Sequence, residues 1–506
     1  MKFQISAVAL ASIFALSSGA NSNVQLVKDI YPGKNSSNPI GLTLYGGDAY
    51  FAADDMSTGV EPYLSDGTSR GTRMLMDINP GPGSSNPAGF TEFKSELYFQ
   101  ANDGSTGVEL WVTDGTMFDT KLFKDINSGS ASSNPSNFVV LGNRMIFAAT
   151  TKSYGRELWV TDGTPDGTML MYDIYPGTTG SNLDLRPEYR VGNNKTIFTA
   201  DNGSNGESLY VTDGTVSGTI MLKDLSSDPQ SVVISRPVKQ SVDQIFFTFG
   251  TELWVTDGTQ SGTKVVDQDV IIGGPSRISP YNLNGDTLFF GHKTGETDDS
   301  LYKTDGTSSG TEVLVNGLQP AAVSRGAAST FGLGFGPVIS DMLAVMTDNG
   351  IGVNIWVTDG KSLTPLVEAT FDWVLDVQLS MDGKQALFLI KNGTSLELWT
   401  SDYTSLNTVM VDTFPGGIAS SSVGNALIFN TTDALFPVGT PSYGVELWAM
   451  EFPKLKVLSP TRAPHSPTRS PTKPSAPSPT TTSATAPMAS FTFGATLVCA
   501  ILALIV

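Results

Sequence analysis

The octapeptide ELWVTDGT stands at residues 109–116, 157–164 and 252–259. Near-copies complete a series of nine: EPYLSDGT (61–68), LYVTDGT (209–215), LYKTDGT (301–307), NIWVTDGK (354–361), ELWTSDYT (397–404) and the shortened ELWAM (446–450). The Asp residues of successive copies lie 43 to 54 residues apart, with a mean of 48. A regular period of roughly 20–50 residues is typical of repeat architectures. The phrase therefore marks one structural unit that recurs along the chain.

The second copy shows what one unit contains. Four β-rich runs bounded by turn residues follow one another: AGFTEFKS (88–95), ELYFQAND (96–103), GVELWVTDGT (107–116) and TKLFKDI (120–126). Short turns join the runs, and a longer loop leads to the next unit, as in a propeller blade. The sequence predicts an all-β propeller over residues 21–458, built of about nine four-stranded antiparallel blades. The alternative is eight blades and an irregular unit near residues 312–359.

The phrase itself is interpreted as architecture. Along a strand, side chains alternate between two faces, so Glu109, Trp111 and Thr113 share one face. Asp114 is predicted to bind turn amides, and Gly115 to take a positive φ. One large ring per unit suits packing between neighbouring blades; this position holds Trp111, Trp159, Trp254, Trp356, Trp399 and Trp448, with Tyr63, Tyr210 and Tyr302 in the other copies.

The extended motif resembles the ELWxxDGT repeat proteins. The residues that carry the resemblance are ELWVTDGTPDGTMLMYDIYPG (157–177) and VQLVKDIYPG (24–33). It covers most of residues 24–450 and is strongest in the first six copies. Later copies depart, since Lys361 replaces the Thr of the motif and Tyr403 replaces its Gly. The resemblance supports the repeat fold far more than any activity.

The two ends of the repeat region are predicted to meet. QLVKDI (25–30) matches the fourth strand of a unit but has no third strand before it, and the last unit ends soon after ELWAM. We therefore expect Gln25–Ile30 to pair beside Glu446–Met450 and close the ring. KLKVL (454–458) is a competing candidate for that place.

The N-terminus has the pattern of a secretory signal peptide. Residues 1–20 contain Lys2, an apolar run over residues 7–16, and small residues Ser18 and Ala20 before the expected cleavage site. The alternative is a buried N-terminal helix. A signal peptide would send the protein through the secretory pathway to the outer face of the plasma membrane or cell wall.

The C-terminus has the pattern of a stalk and an anchor. Residues 459–487 are mostly Pro, Ser, Thr and Ala, which predicts a disordered stalk, either O-glycosylated or a plain linker. Residues 488–506 form an apolar tail that reaches the last residue of the sequence without a basic flank. This favours a removable GPI signal with attachment at Ser483, and a single membrane span is the alternative.

Net charge, cysteine content and sequons restrict the kinds of partner and modification that we expect. The formal charge of −19 argues against nucleic acid and against an anionic lipid surface, so membrane contact is expected only through the anchor. The single Cys499 lies in the tail, which leaves no disulfide to stabilise the propeller. Five N-glycosylation sequons are present, at Asn35, Asn194, Asn202, Asn392 and Asn430.

No catalytic grouping can be defended from the sequence. The only histidines are His292 and His465, no HExxH motif occurs, and no Cys is placed to bind a metal in the propeller. We therefore predict no catalytic residue and no cofactor. Calcium is a weak candidate at ANDGSTG (101–107) and ADNGSNG (200–206), which ordinary turns also explain.

Two functions remain open. The favoured one is a non-catalytic cell-surface propeller that binds extracellular protein or glycan; the alternative is an extracellular hydrolase or lyase that acts on polysaccharide. Departures from the repeat cluster in residues 312–380 and include GAASTFGLGFGP. We predict ligand binding there, at Phe331, Phe335 and Trp373. Degeneration of the repeat without function is the competing explanation.

Overall fold

The computed structural model describes residues 24–451, apart from residues 193, 205, 226–237, 242–243, 273–280, 284, 297–298, 318–334, 349–351, 368–369, 380–383, 406, 416–426, 429–432 and 441. Within these ranges the chain forms β-strands and no helix. No stretch of this part is therefore a helix suited to crossing a membrane. The predicted signal peptide (1–20), stalk (459–487), tail (488–506), Ser483 and KLKVL segment all lie outside the described residues.

The strands form nine antiparallel sheets, which we number as blades in chain order. Blade 1 contains β2 (Ile40–Tyr45), β3 (Asp48–Asp54), β4 (Val60–Ser65) and β5 (Arg73–Met74). Blade 2 contains β6 (Ala88–Phe93), β7 (Glu96–Asn102), β8 (Val108–Thr113) and β9 (Lys121–Lys124). Blade 3 contains β10 (Ser136–Leu141), β11 (Arg144–Thr151), β12 (Gly155–Thr161) and β13 (Met169–Tyr172). Blade 4 contains β14 (Asp184–Val191), β15 (Lys195–Asp201), β16 (Glu207–Thr212) and β17 (Ile220–Asp224).

The remaining blades follow the same plan. Blade 5 contains β18 (Val238–Ser241), β19 (Gln244–Phe249), β20 (Glu252–Thr256) and β21 (Lys264–Val265). Blade 6 contains β22 (Val270–Ile272), β23 (Tyr281–Leu283), β24 (Asp286–Lys293), β25 (Ser300–Thr304) and β26 (Glu312–Val315). Blade 7 contains β27 (Phe335–Ile339), β28 (Met342–Asp348), β29 (Val353–Thr358) and β30 (Leu363–Pro365). Blade 8 contains β31 (Trp373–Leu379), β32 (Ala386–Asn392), β33 (Ser395–Ser401) and β34 (Val409–Pro415). Blade 9 joins β35 (Leu427–Ile428), β36 (Asp433–Thr440) and β37 (Gly444–Glu451) to β1 (Val24–Lys28).

The nine-bladed prediction is confirmed, and so are the four runs of the second unit. In blade 2, Trp111 on β8 lies opposite Phe99 on β7 and Leu122 on β9. The alternative of eight blades is wrong, because residues 335–365 form a regular four-stranded blade 7.

Blade 6 departs from the prediction of four strands per blade. Both β22 and β23 pair with β24, so this sheet has five strands. The eight-residue β24 is long enough to accommodate both partners. β23 lies opposite its first half, with Tyr281 facing Leu288, and β22 lies opposite its second half, with Ile271 facing His292.

The phrase aromatics pack between blades, as predicted. An apolar cluster lies at each junction between neighbouring blades. At the first junction, Tyr50 and Leu64 of blade 1 contact Phe99 and Trp111 of blade 2. Trp111 is only 5% exposed. Burial of one such side chain contributes about 1.5–3 kcal/mol, so these junctions supply much of the stability of a propeller core without disulfides.

The predicted ring closure is also confirmed. β1 pairs antiparallel with β37, placing Leu26 opposite Trp448 and Val24 opposite Met450. The first of the described strands, β1, is thus the terminal strand of the sheet of blade 9. A further apolar cluster joins Leu435 of blade 9 to Phe51 of blade 1, which completes the ring.

Candidate functional site

The Glu of the repeated phrase holds the crossover loop that leads to the next blade. Glu109 accepts hydrogen bonds from the backbone amides of Ile126 at 2.7 Å and Ser133 at 2.8 Å, and from Ser133 Oγ at 2.6 Å. We call the equivalent residues crossover carboxylates; they are Glu61, Glu109, Glu157 and Glu446, each fully buried. The strand pattern predicts the face on which Glu109 lies, but this role was not predicted.

Burial shifts the pKa of these carboxyl groups upward. It raises the pKa of Glu157 to about 7 and that of Glu446 to about 6, and those of Glu61 and Glu109 above the ordinary value. Shifted carboxyl groups are candidate catalytic acids. Here, however, the side chains are closed off from solvent, both oxygens of Glu109 accept hydrogen bonds from the crossover loop, and the arrangement recurs in four blades. These features indicate that the crossover carboxylates have a structural role.

The Asp and Thr residues of the phrase build a closed turn. Asp114 Oδ1 accepts hydrogen bonds from the amide and hydroxyl of Thr116 at 2.9 and 2.7 Å, and these bonds lower the pKa of Asp114. The hydroxyl groups of Thr113 and Thr120 lie 2.8 Å apart, and Gly115 has a φ of 98°. The predicted Asx turn is thereby confirmed. The same Asp–Thr contacts recur at Asp66, Asp162, Asp213, Asp257, Asp305 and Asp402.

The two turns considered for calcium use their oxygens internally. Asp103 Oδ1 accepts hydrogen bonds from the amides of Ser105 and Thr106 at 2.8 and 2.7 Å. Asp201 Oδ1 accepts one from the amide of Gly203 at 2.7 Å. These are the contacts of ordinary turns. Within the described ranges, no three His, Cys, Asp or Glu side chains are grouped for a metal ion.

His292 occupies a structural position. Its Nδ1 lies 2.9 Å from Oδ1 of Asp299, whose side chain is 6% exposed. His292 lies near the end of β24 and pairs with the extra strand β22. The pair therefore belongs to the irregular part of blade 6. The second histidine, His465, lies outside the described residues.

The predicted ligand-binding residues fall on neighbouring blades. Phe335 begins β27 in blade 7, and Trp373 begins β31 in blade 8. These two strands contact each other, whereas Phe331 lies outside the described residues. The structure thus brings the strands of two of the three residues side by side. Their role in binding stays a prediction.

The sequons lie at loops and strand ends. Asn35 is exposed in the crossover from blade 9 to blade 1, Asn194 is exposed between β14 and β15, and Asn392 is exposed at the end of β32. Asn202 is half-buried in the turn after β15. Asn430 lies outside the described residues.

A cavity of about 290 Å³ opens between blades 3 and 4. Apolar side chains contribute much of its lining, among them Met169 and Met171 of β13. Arg144, Asp162 and Thr215 supply its polar groups. This cavity was not predicted from the sequence. The position of Met169 gives only a partial signal, because blades 1, 2 and 5 carry the cations Arg73, Lys121 and Lys264 there whereas blades 4 and 8 carry Ile220 and Val409.

No family model matches the chain, and no curated protein matches it. Solved structures share a fold-level likeness. Puromycin hydrolase is 10% identical, with 83% of this chain and 62% of that one covered and a TM-score of 0.40. The GH74 enzyme of Niastella koreensis is 11% identical (82% and 72% covered, TM-score 0.32). Oligopeptidase B from Leishmania major is 12% identical (72% and 48% covered, TM-score 0.36).

The chain therefore spans 62% of puromycin hydrolase and 48% of oligopeptidase B. Likenesses at these TM-scores carry no argument about what this protein does. The strand pairing of the chain itself defines its class, an all-β propeller of nine blades. The resemblance to the ELWxxDGT repeat proteins stays a prediction.

Proposed function

We propose that the protein is a non-catalytic propeller on the outer face of the cell that binds extracellular protein or glycan. The observation that carries the proposal is the use made of the repeated polar residues. Crossover carboxylates such as Glu109 hold loops, and turn residues such as Asp114 and Thr116 bind one another. The residues that dominate the repeat are thus committed to the scaffold. Function then falls to positions where the repeat is broken.

Extracellular placement is part of the same proposal. It rests on the signal-like residues 1–20, the apolar tail 488–506 and the sequons. Exposure of Asn35, Asn194 and Asn392 is compatible with glycan attachment. We also propose membership of the ELWxxDGT repeat proteins, on the motif residues alone.

The proposal is tested with the purified ectodomain, residues 21–458, on a glycan array and on cells. Specific binding to a glycan or a cell-surface protein is expected. Replacement of Phe335 and Trp373 by Ala is expected to weaken that binding at least tenfold. Phe118→Ala is the matched control, since Phe118 is a 90% exposed aromatic side chain in a turn of blade 2.

Two results would count against the proposal in different ways. Unchanged binding by a folded Phe335 and Trp373 variant removes the site assignment but leaves the scaffold. Turnover of a polysaccharide that a single Asp or Glu substitution abolishes overturns the non-catalytic function.

A further inference from the structure

We infer that the cavity between blades 3 and 4 binds an extended polypeptide segment, one of whose aliphatic side chains fills the cavity. The inference rests on the proposed function and deepens it, because it selects protein over glycan as the ligand at this site. Four features carry it: a loose blade junction, an open strand edge, the balance of polar groups, and exposed apolar side chains.

The junction between blades 3 and 4 is looser than its neighbours. In blades 2, 3, 4, 5 and 7 the Gly of the turn after the phrase strand lies against the preceding blade. A Cβ built on Gly115 would lie 2.5 Å from the Tyr50 hydroxyl, and one built on Gly163 or Gly258 would lie 3.0 Å from a side chain of the preceding blade. A Cβ built on Gly214 meets nothing closer than 3.7 Å. The turn at Gly214 therefore approaches blade 3 less closely than the turns at Gly163 and Gly258 approach their preceding blades.

The cavity borders an open strand edge. It contacts the three consecutive residues Met169, Leu170 and Met171 of β13. Successive side chains of a strand point to opposite faces, and Leu170 packs toward blade 2 whereas Met171 packs toward blade 4. Since Arg144 of β11 and Val160 of β12 also line the cavity, it extends from the β13 edge across the face that blade 3 presents to blade 4. β13 is the terminal strand of its sheet and pairs only with β12 among the described strands. An open edge of this kind can accept an added strand through main-chain hydrogen bonds.

The polar groups of the cavity suit an uncharged main chain. The Arg144 guanidinium donates one hydrogen bond to the carbonyl oxygen of Gly214 at 3.0 Å; its other N–H groups have no partner within the described ranges. Asp162 also lines the cavity; its Oδ1 is held by the amide and hydroxyl of Thr164 at 2.9 and 2.7 Å, which leaves Oδ2 as its acceptor for a ligand. One cation and one anion leave the site close to neutral, and a polypeptide backbone offers a matching carbonyl and amide.

A sugar ring fits this lining less well. Each hydroxyl group that is buried without a hydrogen bond costs on the order of 1–3 kcal/mol. Among the described residues of the lining, the polar side chains are Arg144, Asp162 and Thr215, whereas Met169, Met171 and Val216 supply apolar surface. An aliphatic side chain gains from the same surface, and Met adapts its shape to varied partners.

The exposed apolar side chains at the cavity are not demanded by the fold. Met169 and Val216 are 57% and 58% exposed. Lys121 and Lys264 stand at the position of Met169 in blades 2 and 5. The scaffold thus tolerates a cation here, although blades 4 and 8 carry the exposed apolar residues Ile220 and Val409 at this position. Blade 3 differs because Met169 and Val216 border one cavity, and grouped apolar surface of this kind is typical of an interaction site.

The test uses the ectodomain with its Met methyl groups labelled for NMR. The probe is the capped pentapeptide acetyl-Ser-Thr-Leu-Thr-Ser-amide, and the expected result is a saturable shift of the Met169 and Met171 methyl signals. Met169→Lys is expected to weaken binding at least tenfold, and Arg144→Gln several-fold. Ile220→Lys, at the matching position of blade 4 and outside the cavity, should bind like the wild type. A peptide N-methylated along its backbone should lose strand pairing and fail to bind.

Several outcomes would overturn the inference. One is no methyl shift up to millimolar peptide, and another is equal binding by Met169→Lys or by the N-methylated peptide. A third is a shift caused by methyl glycosides and not by the peptide, which assigns the cavity to sugar. If these results appear while the ectodomain still binds cells, the inference fails and the proposed function stands; loss of cell binding by the wild type is instead a failure of the proposed function.

Discussion

Glu446 accepts a hydrogen bond from the backbone amide of Ile30 at 3.1 Å, across 416 residues of chain. Its second oxygen accepts one from the amide of Ser37 at 3.0 Å. Glu61 makes the same two contacts with Ile78 and Ser85 inside the ring. The crossover from blade 9 to blade 1 therefore has the same contacts as a crossover inside the ring. It differs in that its outer strand, β1, comes from the other end of the propeller sequence.

Ser37→Ala is expected to weaken this junction. It removes the hydroxyl group that donates to Glu446 and leaves the backbone contacts in place. Loss of one charge-assisted hydrogen bond should lower the free energy of unfolding by about 1–3 kcal/mol. Amide hydrogen exchange in β1 should accelerate, because β1 is held by β37 alone among the described strands. Ser133→Ala, the same change inside the ring, should destabilise similarly without affecting β1; equal β1 exchange in both variants would contradict the prediction.

Stability should fall as the pH rises from about 4.5 to about 7. Burial raises the pKa of Glu157 from 4.5 to about 7, so the folded state binds a proton more tightly than the unfolded state in this window. Unfolding then becomes easier with each step upward in pH, by on the order of 1–3 kcal/mol in total for this group. Urea titrations at pH 5, 6, 7 and 8 measure the slope. Glu157→Gln should flatten it relative to the wild type, and an identical slope in the variant would refute the assignment.

Gly167→Ala should cost only about 1–2 kcal/mol, as expected for a strained but adaptable site. A Cβ at this position falls on the Asp162 carboxylate, which suggests a severe clash. However, Asp119 and Asn407 stand at the matching places, and their amides lie 3.3 Å from the turn Thr hydroxyl, against 3.0 Å for Gly167. The turn therefore opens slightly to admit a side chain. Denaturation of Gly167→Ala, with Asp119→Ala as control, measures the cost; failure to fold would show that blade 3 cannot relax in this way.

Trp111→Tyr should be tolerated, whereas Trp111→Ala should not. Tyr63, Tyr210 and Tyr302 fill the same position in other blades and are 6% exposed or less. Truncation of a buried Trp to Ala typically costs about 3–5 kcal/mol, while Tyr retains most of the buried surface. Urea midpoints of the two variants compare these costs directly. Equal loss in both would mean that the indole itself, and not a large ring, is required between blades 1 and 2.

The anchor prediction follows from the proposed function. If residues 488–506 are a GPI signal, a phosphatidylinositol-specific phospholipase should release the protein from cells. The mature chain should then end near Ser483 and lack Cys499. Mass spectrometry of the mature C-terminus provides the second measurement. A membrane-retained chain that still carries Cys499 would identify a single span instead.

Much of the architecture could be predicted because the repeat exposes it. The position of Trp111 in a strand beside a DGT turn indicated its packing between blades, and the orphan strand at Gln25–Ile30 indicated the closure. The role of Glu109 was missed although a signal existed. Glu61 and Glu109 each stand 24 residues before the Ser of an SNP sequence, Ser85 and Ser133 respectively. The carboxylate binds the amide of that Ser in both blades.

The fifth strand of blade 6 and the cavity could not be predicted, because both depend on distances between segments that are far apart in the sequence. The fifth strand of blade 6 arises because two short segments, β22 and β23, share one long partner. The cavity beside Met169 depends on how closely the turn at Gly214 approaches blade 3. Both features result from contacts between segments far apart in the repeat pattern, where neither periodicity nor composition specifies the gap.

The pairing of β1 with β37 also orders the biogenesis of the ring. Among the described strands a ribosome delivers β1 first and its partner β37 last, so β1 must wait through the synthesis of every other described blade. Until then Leu26 has no strand beside it, and the edge of β37 is the final template to appear. Completion of the ring is thereby coupled to completion of the chain: a product truncated before Gly444 lacks the strand that β1 requires, and its open ends are exposed to quality control.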